Sequence, residues 1–480
     1  MAQLDDLVKQ RIANLNSIQD AKIYPYGGRF AVTGSVKETL DNFKEGAPCA
    51  LAGRIMAIRA HGKSIFADLK DRTGKIQFHI GEDAVGKDKF SVFKLLDIGD
   101  IIGIKGELFK TRTNEPTVKV SEFTVLSKSL RPLPEKWHGL KDLETRYRQR
   151  YLDLIMNDDA KNIFYARTKI IKEIRNFLDE RGYLEVETPM MQSIPGGAAG
   201  KPFKTHHNAL DMDLYLRIAP EIYLKKLLVG GLERVYEINR NFRNEGISPR
   251  HNPEFTMLEV YTAYSDCEGV IKLTEDLITH AAEKVLGKKS FSYQGKAVDL
   301  SKWERVSFAK LMEDEFGIKP TDPQSEWVKR LAKKGIEVEG KELSRTQLIN
   351  IVGELIEPKA GSHPVFVMDM FTELCPLAKT KPDNPLLTDR FELYVGGLEV
   401  ANAYSELNDP IEQRKRFEED LKEAREKKDI DEDFITALEH GMPPAGGLGI
   451  GIDRLVMIFT DAPSIRDVIL FPQLRKEAAA

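Results

Sequence analysis

From Tyr236 to Tyr261 the chain alternates by side chain, and this pattern constrains its fold more than any other. Glu237, Asn239, Asn241, Arg243 and Glu245 share one parity, with Tyr236, Ile238 and Phe242 on the other. Past a polar stretch, Phe255, Met257, Glu259 and Tyr261 fall together, with Thr256, Leu258 and Val260 behind them. Successive strand side chains point to opposite faces, so the region reads as two strands joined by a long loop, one face polar and one packed. A strand that gives a whole face to polar groups is either washed by solvent or lines a site. Arg243, at the mouth of the loop with Glu245 two residues on, can hold a phosphate or carboxylate in a forked pair. Arg250 and His251 in the loop suit a polyphosphate, and Phe255 offers a ring on which a nucleobase can stack. An ordinary hairpin closed by a cross-strand Arg–Glu pair is the competing reading.

Length bounds the rest. At 480 residues the chain predicts about two to four domains with ample material for a core. Its net charge of −4 excludes a generally basic coat for nucleic acid but not a local basic stripe. Cys49, Cys267 and Cys375 lie far apart, and no CxxC or Cys/His cluster has zinc spacing, so a structural metal is not expected. Sparse, unpaired thiols fit a reducing compartment. The N-terminal MAQLDDLVKQRIANL lacks a basic region followed by an apolar run. No segment approaches the roughly 18 consecutive apolar residues of a membrane span. The expectation is a cytoplasmic protein without a membrane partner.

The texture changes along the chain. Residues 1–44 read as a helical leader followed by a turn-rich connection. Over 45–130, ALAGRIMAIRA, SIFADLKD, GKIQFHI, DIIGIKGELFK and TVKVSEFTVL are five strand candidates at regular spacing. Five strands with glycine-marked bends fit an oligonucleotide-binding (OB-fold) barrel, with a generic sandwich as competitor. Residues 131–150 read as a linker. Lys128, Arg131, Lys136, Lys141, Arg146, Arg148 and Arg150 give it and its approach a basic bias, which is either a solvated face or a set of phosphate contacts. The remainder, 151–480, alternates strands and helices. A helix over 162–181 repeats Ile163, Ala166, Ile170, Ile174, Phe177 and Leu178, and Gly182 stops it. Helical insertions are expected near 267–360 and 408–440.

Two further segments carry chemistry. In DRFELYVGGLEVANAYSELND, Glu392 and Glu399 flank Gly396-Gly397, a pair that can turn the chain and bring two carboxylates together, as a magnesium ion shared with phosphates requires. Asn402, Tyr404 and Glu406 then alternate on one face. Glu399 to Asn402 is an odd separation, so strict alternation must break between them. In GGLGIGIDRLVMIF (446–459), four glycines precede a helix that starts near Asp453, placing Arg454 in its first turn. The spacing matches neither a dinucleotide-binding nor a Walker loop.

Jointly these segments resemble the motifs of class II aminoacyl-tRNA synthetases. The resemblance extends through RPLPEKWHGLKDLETRYRQRYLDL (131–154), GGAAGKPF (196–203), APEIYLKKLLVGGLERVYEINRNFRNEG (219–246), RHNPEFTMLEVY (250–261), NAYSELNDP (402–410) and GLGIGIDRL (447–455). These look like the bacterial-type lysyl-tRNA synthetases over essentially the whole chain; the HIGH and KMSKS signatures of class I are absent. The fold implied is α+β: a five-stranded OB-fold anticodon-binding barrel, then a catalytic domain whose mainly antiparallel sheet is flanked by helices.

The resemblance also implies roles. Arg243 and Arg454 act on the reacting phosphate, and ATP is held by these two with Glu245, His251, Asn252 and Phe255. Glu392 and Glu399 bind Mg2+. The lysine pocket is Gly197, Glu221, Glu259, Tyr261, Asn402, Tyr404 and Glu406; many bacterial members carry Phe where this chain has Tyr404. Facing acceptors and negative charge are what a buried ammonium demands, and three glutamates there would repel aspartate. Arg59, Phe66, Gln77 and Glu122 would read the anticodon, although Phe66 alone reads equally as barrel core. The implied reaction runs through a lysyl-adenylate to the 3′-terminal ribose of tRNA(Lys), in a homodimer seamed along the 162–181 helix. A sister ligase for aspartate or asparagine, a synthetase-like enzyme that lysylates a protein, and a non-catalytic nucleic-acid-binding homologue are the alternatives.

Overall fold

The computed structural model describes residues 2–134, 140–198, 200–336, 338, 343–356, 358, 361–423 and 430–476. Lys136 of the basic stretch, Ala199 of GGAAGKPF and the middle of the 408–440 segment lie outside the described residues. The chain divides into a unit up to Leu140 and a unit from Lys141 onward.

In the first unit, strands Pro48–His61, Ser64–Lys70, Lys75–Gly81, Ile101–Lys110 and Pro116–Ser127 close into a barrel in the order first, second, third, fifth, fourth. Alternation fills it: Ile65, Ala67, Leu69, Ile76, Phe78, Ile80, Ile102, Ile104, Val118 and Val120 are buried inside. The helix Ala2–Asp20 adds Ile18 to that core, and its Arg11 donates to the carbonyls of Ile98, Ser129 and Arg131. Lys128, counted with the basic stretch, is buried here against Asp97 and Asp100.

The second unit is built on an eight-stranded sheet in the order Glu304–Ser307, Val365–Met368, Arg390–Val395, Leu398–Ser405, Ala445–Gly451, Glu254–Ala263, Arg234–Phe242, Leu184–Glu185. Only the two outermost pairs are parallel; the rest are antiparallel. One sheet face packs on helices Asp158–Asp179, Cys267–Leu286 and Ile452–Phe459 through Tyr236, Leu258, Val260, Leu393, Ala401, Leu448 and Ile450. The opposite face is free to carry polar groups.

Two expectations shift. The segment from 267 opens inside the main core, because Val270, Ile271, Leu277, Ile278, Ala281 and Ala282 line one buried face of its helix. What lies outside that core begins near Phe308, where helices Phe308–Phe316, Gln324–Lys333 and Arg345–Leu355 gather around Trp327, Met312 and Ile349. In the basic stretch, Arg150 is buried: it pairs with Asp153 at 2.6 Å and donates to the carbonyls of Arg466, Ile469 and Leu470. Arg146 takes the other Asp153 oxygen at 2.8 Å. These cations, with Lys128, are internal struts rather than a phosphate stripe.

Candidate active site

The hairpin that opened the sequence pairs Glu237 with Glu259, Asn239 with Met257 and Asn241 with Phe255, so all six side chains share the open face. Its neck extends one step further, Arg243 N–H donating to the Pro253 carbonyl at 2.9 Å. The Arg243 guanidinium lies 5.1 Å over the Phe255 ring, and its Nε is buried without a hydrogen-bond partner. Burial draws its pKa down, opposed by Glu245, Glu259 and Glu399 around it. Asn239 Oδ1 and both amide atoms of Asn241 are likewise buried and unpartnered. Because buried polar groups are almost always satisfied, this cluster marks a surface shaped for a polar ligand. Glu237 on the same face is already used, closed by Arg217 at 2.7 Å and by the Thr188 hydroxyl.

Arg454 enters from the helix Ile452–Phe459. Its guanidinium donates to the Glu399 carbonyl at 2.7 Å, to Glu399 Oε2 at 3.1 Å and to His251 Nε2 at 3.2 Å. An arginine only donates, so His251 Nε2 accepts; Nδ1 then carries the proton and donates to Ser248 Oγ at 2.9 Å. Burial and Arg454 both hold the imidazole below its usual pKa, which fits that neutral tautomer. Asp453, missed in the sequence, fixes the turn: it takes Arg167 at 2.6 Å and the Thr256 N–H at 2.7 Å. Glu245 is exposed at the loop mouth. Asn252 is spoken for by backbone, donating to the Glu254 carbonyl at 2.6 Å and accepting from Gln473 N–H.

Gly396 and Gly397 both take positive φ (61° and 83°), which only glycine adopts cheaply, and they turn the chain between Arg390–Val395 and Leu398–Ser405. The register slips opposite Val400, so Tyr394 faces Glu399 while Glu392 faces Asn402. That bulge is the break in alternation demanded by the odd spacing, and it returns Glu392, Glu399, Asn402 and Tyr404 to one face. Glu392 is held by Arg390 at 2.8 Å and by the Tyr394 hydroxyl; Arg390 also donates to Asn402 Oδ1. No cluster of three or more His, Cys, Asp or Glu with metal-binding potential occurs among the described residues. Two carboxylates suit a magnesium ion that completes its shell with phosphate oxygens and water, not a cage of protein ligands.

Deeper on the same face lies a buried acidic pocket. Glu221 opens the helix Glu221–Val229; Glu259 and Tyr261 come from the hairpin, and Tyr404 and Glu406 from the strand Leu398–Ser405 and the residue after it. Glu221, Glu259, Glu406 and Tyr261 are all buried. The Tyr261 hydroxyl donates to Glu259 at 3.1 Å, and the Tyr404 hydroxyl donates to Glu221 at 2.7 Å. Gly447 is obligatory: a Cβ there would collide with Glu406 Oε1 and come within 2.7 Å of the Tyr261 ring. Gly197, at φ 85°, packs beside Glu221. Burial, then the Glu221 charge, pushes the Glu259 carboxyl up to about 8. The unexpected member is Lys225, wholly buried, which donates to Glu221 at 2.7 Å and is ion-paired with Glu406. Its spacing of four from Glu221 was the only sequence signal, and the neighbouring Lys226 shares the composition yet turns outward to Asp433.

On the barrel, Arg59 pairs with Phe66 and Phe66 with His79 across adjacent strands, and the Phe66 and His79 rings lie 4.7 Å apart. Phe66 sits between the buried Ile65 and Ala67 and outside the barrel core. Arg59 holds Asp68 at 2.7 Å, and Asp68 faces Gln77. Glu122 is not with them. A bulge at Ser121 sets it across from Lys105, to which it is bonded at 3.1 Å. The carboxylate beside Gln77 is Glu115, 3.2 Å from its amide nitrogen.

A two-unit chain with an OB-type barrel, and a sheet whose polar face joins an arginine pair, two candidate magnesium carboxylates and an acidic pocket, defines a class II synthetase architecture. Residues 142–475 match the family described as tRNA synthetases class II (D, K and N), and residues 50–126 match the OB-fold nucleic acid binding domain; the chain belongs to this class II family. Among curated relatives, it is 55% identical to a lysine–tRNA ligase of Carboxydothermus hydrogenoformans, the match covering 98% of this chain and 99% of the relative. It is 53% identical to that of Pelotomaculum thermopropionicum (98% and 95% covered) and 48% identical to that of Bacillus subtilis (99% and 98% covered).

Proposed function

We propose that the chain ligates L-lysine to tRNA(Lys) at the expense of ATP, and the observation that carries this is the buried triad Glu221, Glu259 and Glu406 beside Arg243. A pocket of carboxylates receives an ammonium side chain and repels an acidic one. Arg243 would hold the amino-acid carboxylate and the α-phosphate together. In the first step a lysine carboxylate oxygen attacks the α-phosphorus and the bond to pyrophosphate breaks, giving the lysyl-adenylate. In the second the 3′-hydroxyl of the terminal tRNA ribose attacks the acyl carbon and AMP leaves. Neither step needs a protein nucleophile. The three thiols are buried, and burial raises that of Cys49 to about 11. The work of the chain is orientation and charge stabilisation by Arg243 and Arg454, with Glu245, His251 and Phe255 placing the nucleotide. Glu392 and Glu399 would hold Mg2+, which neutralises phosphate charge when bound.

Arg59, Phe66 and Gln77, with Glu115 in the place expected of Glu122, form the surface for anticodon bases: a ring to stack on, flanked by edge donors and acceptors. Tyr165, Leu184, Met190, Met191, Leu470 and Phe471 are exposed on the second unit, an apolar set of the kind a homodimer covers. This reading places the protein in the cytoplasm, where charged tRNA is used. ATP–pyrophosphate exchange across the amino acids, followed by charging of total tRNA, tests it. Lysine is expected to stimulate exchange and to be esterified to tRNA; stimulation by aspartate or asparagine instead would overturn the assignment, and lysine activation without tRNA charging would point to a protein substrate.

A further inference from the structure

Three carboxyl groups are buried in the pocket, and the structure sets a cation among them. Lys225 sits one turn along the helix from Glu221, wholly buried. Its Nζ donates to Glu221 Oε1 at 2.7 Å, touches Glu406 Oε2, and lies 5.6 Å from the Tyr404 ring centre. The same Glu221 oxygen accepts the Tyr404 hydroxyl. Both Glu406 oxygens are buried without a hydrogen-bond partner; Oε2 is ion-paired with Lys225, and Oε1 lies where a Cβ on Gly447 would fall. Glu406 is therefore anchored to Lys225 through one oxygen, with its other oxygen unpartnered.

We propose that Lys225 is the internal counter-ion of the amino-acid pocket, a positioning and specificity residue that ties Glu221 to Glu406 and offsets their charge so that the pocket accepts a cationic amino acid. The inference rests on the lysine reading above. Burial pulls the Lys225 ammonium down, but the facing Glu221 and Glu406 outweigh it and hold it charged. Around it, Arg390 is occupied by Glu392 and Asn402, Arg217 by Glu237, and Arg416 by Glu412 and the Ala378 carbonyl. Tyr261 and Tyr404 remain neutral phenols, since burial first and the glutamates second raise both. Burial pushes the Glu259 and Glu406 carboxyls up, and at Glu406 the Lys225 ammonium opposes that rise. Without Lys225 the Glu221 and Glu406 carboxyls would be buried without their cation, and such a group takes up a proton rather than stay ionised. An incoming ammonium would then have to displace that proton.

The test is lysine-dependent ATP–pyrophosphate exchange by the full chain from pH 6.5 to 9, comparing wild type with Lys225→Met and with the charge-balanced Lys225→Met/Glu221→Gln. In Lys225→Met the KM for lysine at pH 7 should rise at least about ten-fold, the size of one lost charge-assisted hydrogen bond, with the KM for ATP within about three-fold. Its lysine KM should fall with rising pH more steeply than in wild type, and the double variant should return the slope to the wild-type shape. A lysine KM and pH profile like wild type would overturn the proposal, as would lysine and ATP KM rising together with no change in slope. If Lys225→Met also loses ATP binding, recovery in the double variant supports charge balance, and continued loss overturns it. Absence of lysine-stimulated exchange in wild type would instead sink the lysine reading itself.

Discussion

Glu259 shows how one residue couples pocket, pH and stability. Held up at about 8 by burial and by Glu221, it is largely protonated in the empty site near neutrality. An ammonium ligand binds the ionised form, so the lysine KM should fall as pH rises from 6.5 toward 8.5. The sign for stability is opposite. The folded value lies above that of the unfolded chain, so the contribution of this group is present in acid and is lost as pH rises through 8. Melting temperature measured against pH should show that decline in wild type and a shallower one in Glu259→Gln. The same variant should raise the lysine KM by roughly ten-fold or more, about 1.5–3 kcal/mol for a hydrogen bond to a charged group, and leave ATP binding nearly unchanged; equal losses for both substrates would remove Glu259 from the lysine pocket. Tyr404 donates to Glu221. Tyr404→Phe should cost about 0.5–1.5 kcal/mol in lysine binding, read as a several-fold KM rise; no change would mean that Lys225 alone suffices to hold Glu221.

At the scale of elements, strands were more legible than the residues that act on them. All five barrel strands coincide with their sequence segments within about two residues, because alternating apolar side chains must fill a closed interior. The same alternation could not place Glu122, since a single bulged residue moves a side chain to another neighbour. Glu115→Gln and Phe66→Ala should therefore spare lysine-dependent exchange and impair tRNA charging, whereas Glu122→Gln should leave both intact. Impaired charging in Glu122→Gln alone would restore the sequence-based assignment. Arg150 carries the converse lesson: a residue in a basic run became a buried tie between its own helix and the segment 466–470. Arg150→Ala leaves Asp153 with Arg146 as its remaining arginine partner and should lower stability by roughly 3–5 kcal/mol, seen as an earlier urea midpoint.

For the whole molecule, division of labour follows the two units. The barrel carries its own core and the sheet unit another, so substitutions on the barrel surface can alter tRNA use without touching adenylate formation. The exposed apolar side chains Tyr165, Met190, Met191 and Phe471 predict a species of twice the chain mass in analytical ultracentrifugation at micromolar concentration. Met191→Glu should shift it toward the monomer. A wild-type chain that sediments as a monomer throughout would leave that surface without the proposed partner.

Local periodicity by itself determined the five strands of the first unit, the polar-faced hairpin, the double-glycine turn and the glycine strand, because side-chain parity and turn chemistry are written in neighbouring residues. It also placed Arg243, Glu259 and Arg454 on their elements, whereas Glu221 came only from the family resemblance. Only the tertiary structure decided which charges meet. Lys225 reaches Glu406 across 181 positions, Asp453 binds Arg167 on another helix, and Arg150 turns inward while residues of the same composition stay in solvent. Charge has no period. Whether a lysine is a surface group or the counter-ion of a buried site depends on the dielectric and the partners that folding brings to it, and those are properties of the packed sheet rather than of any stretch of chain.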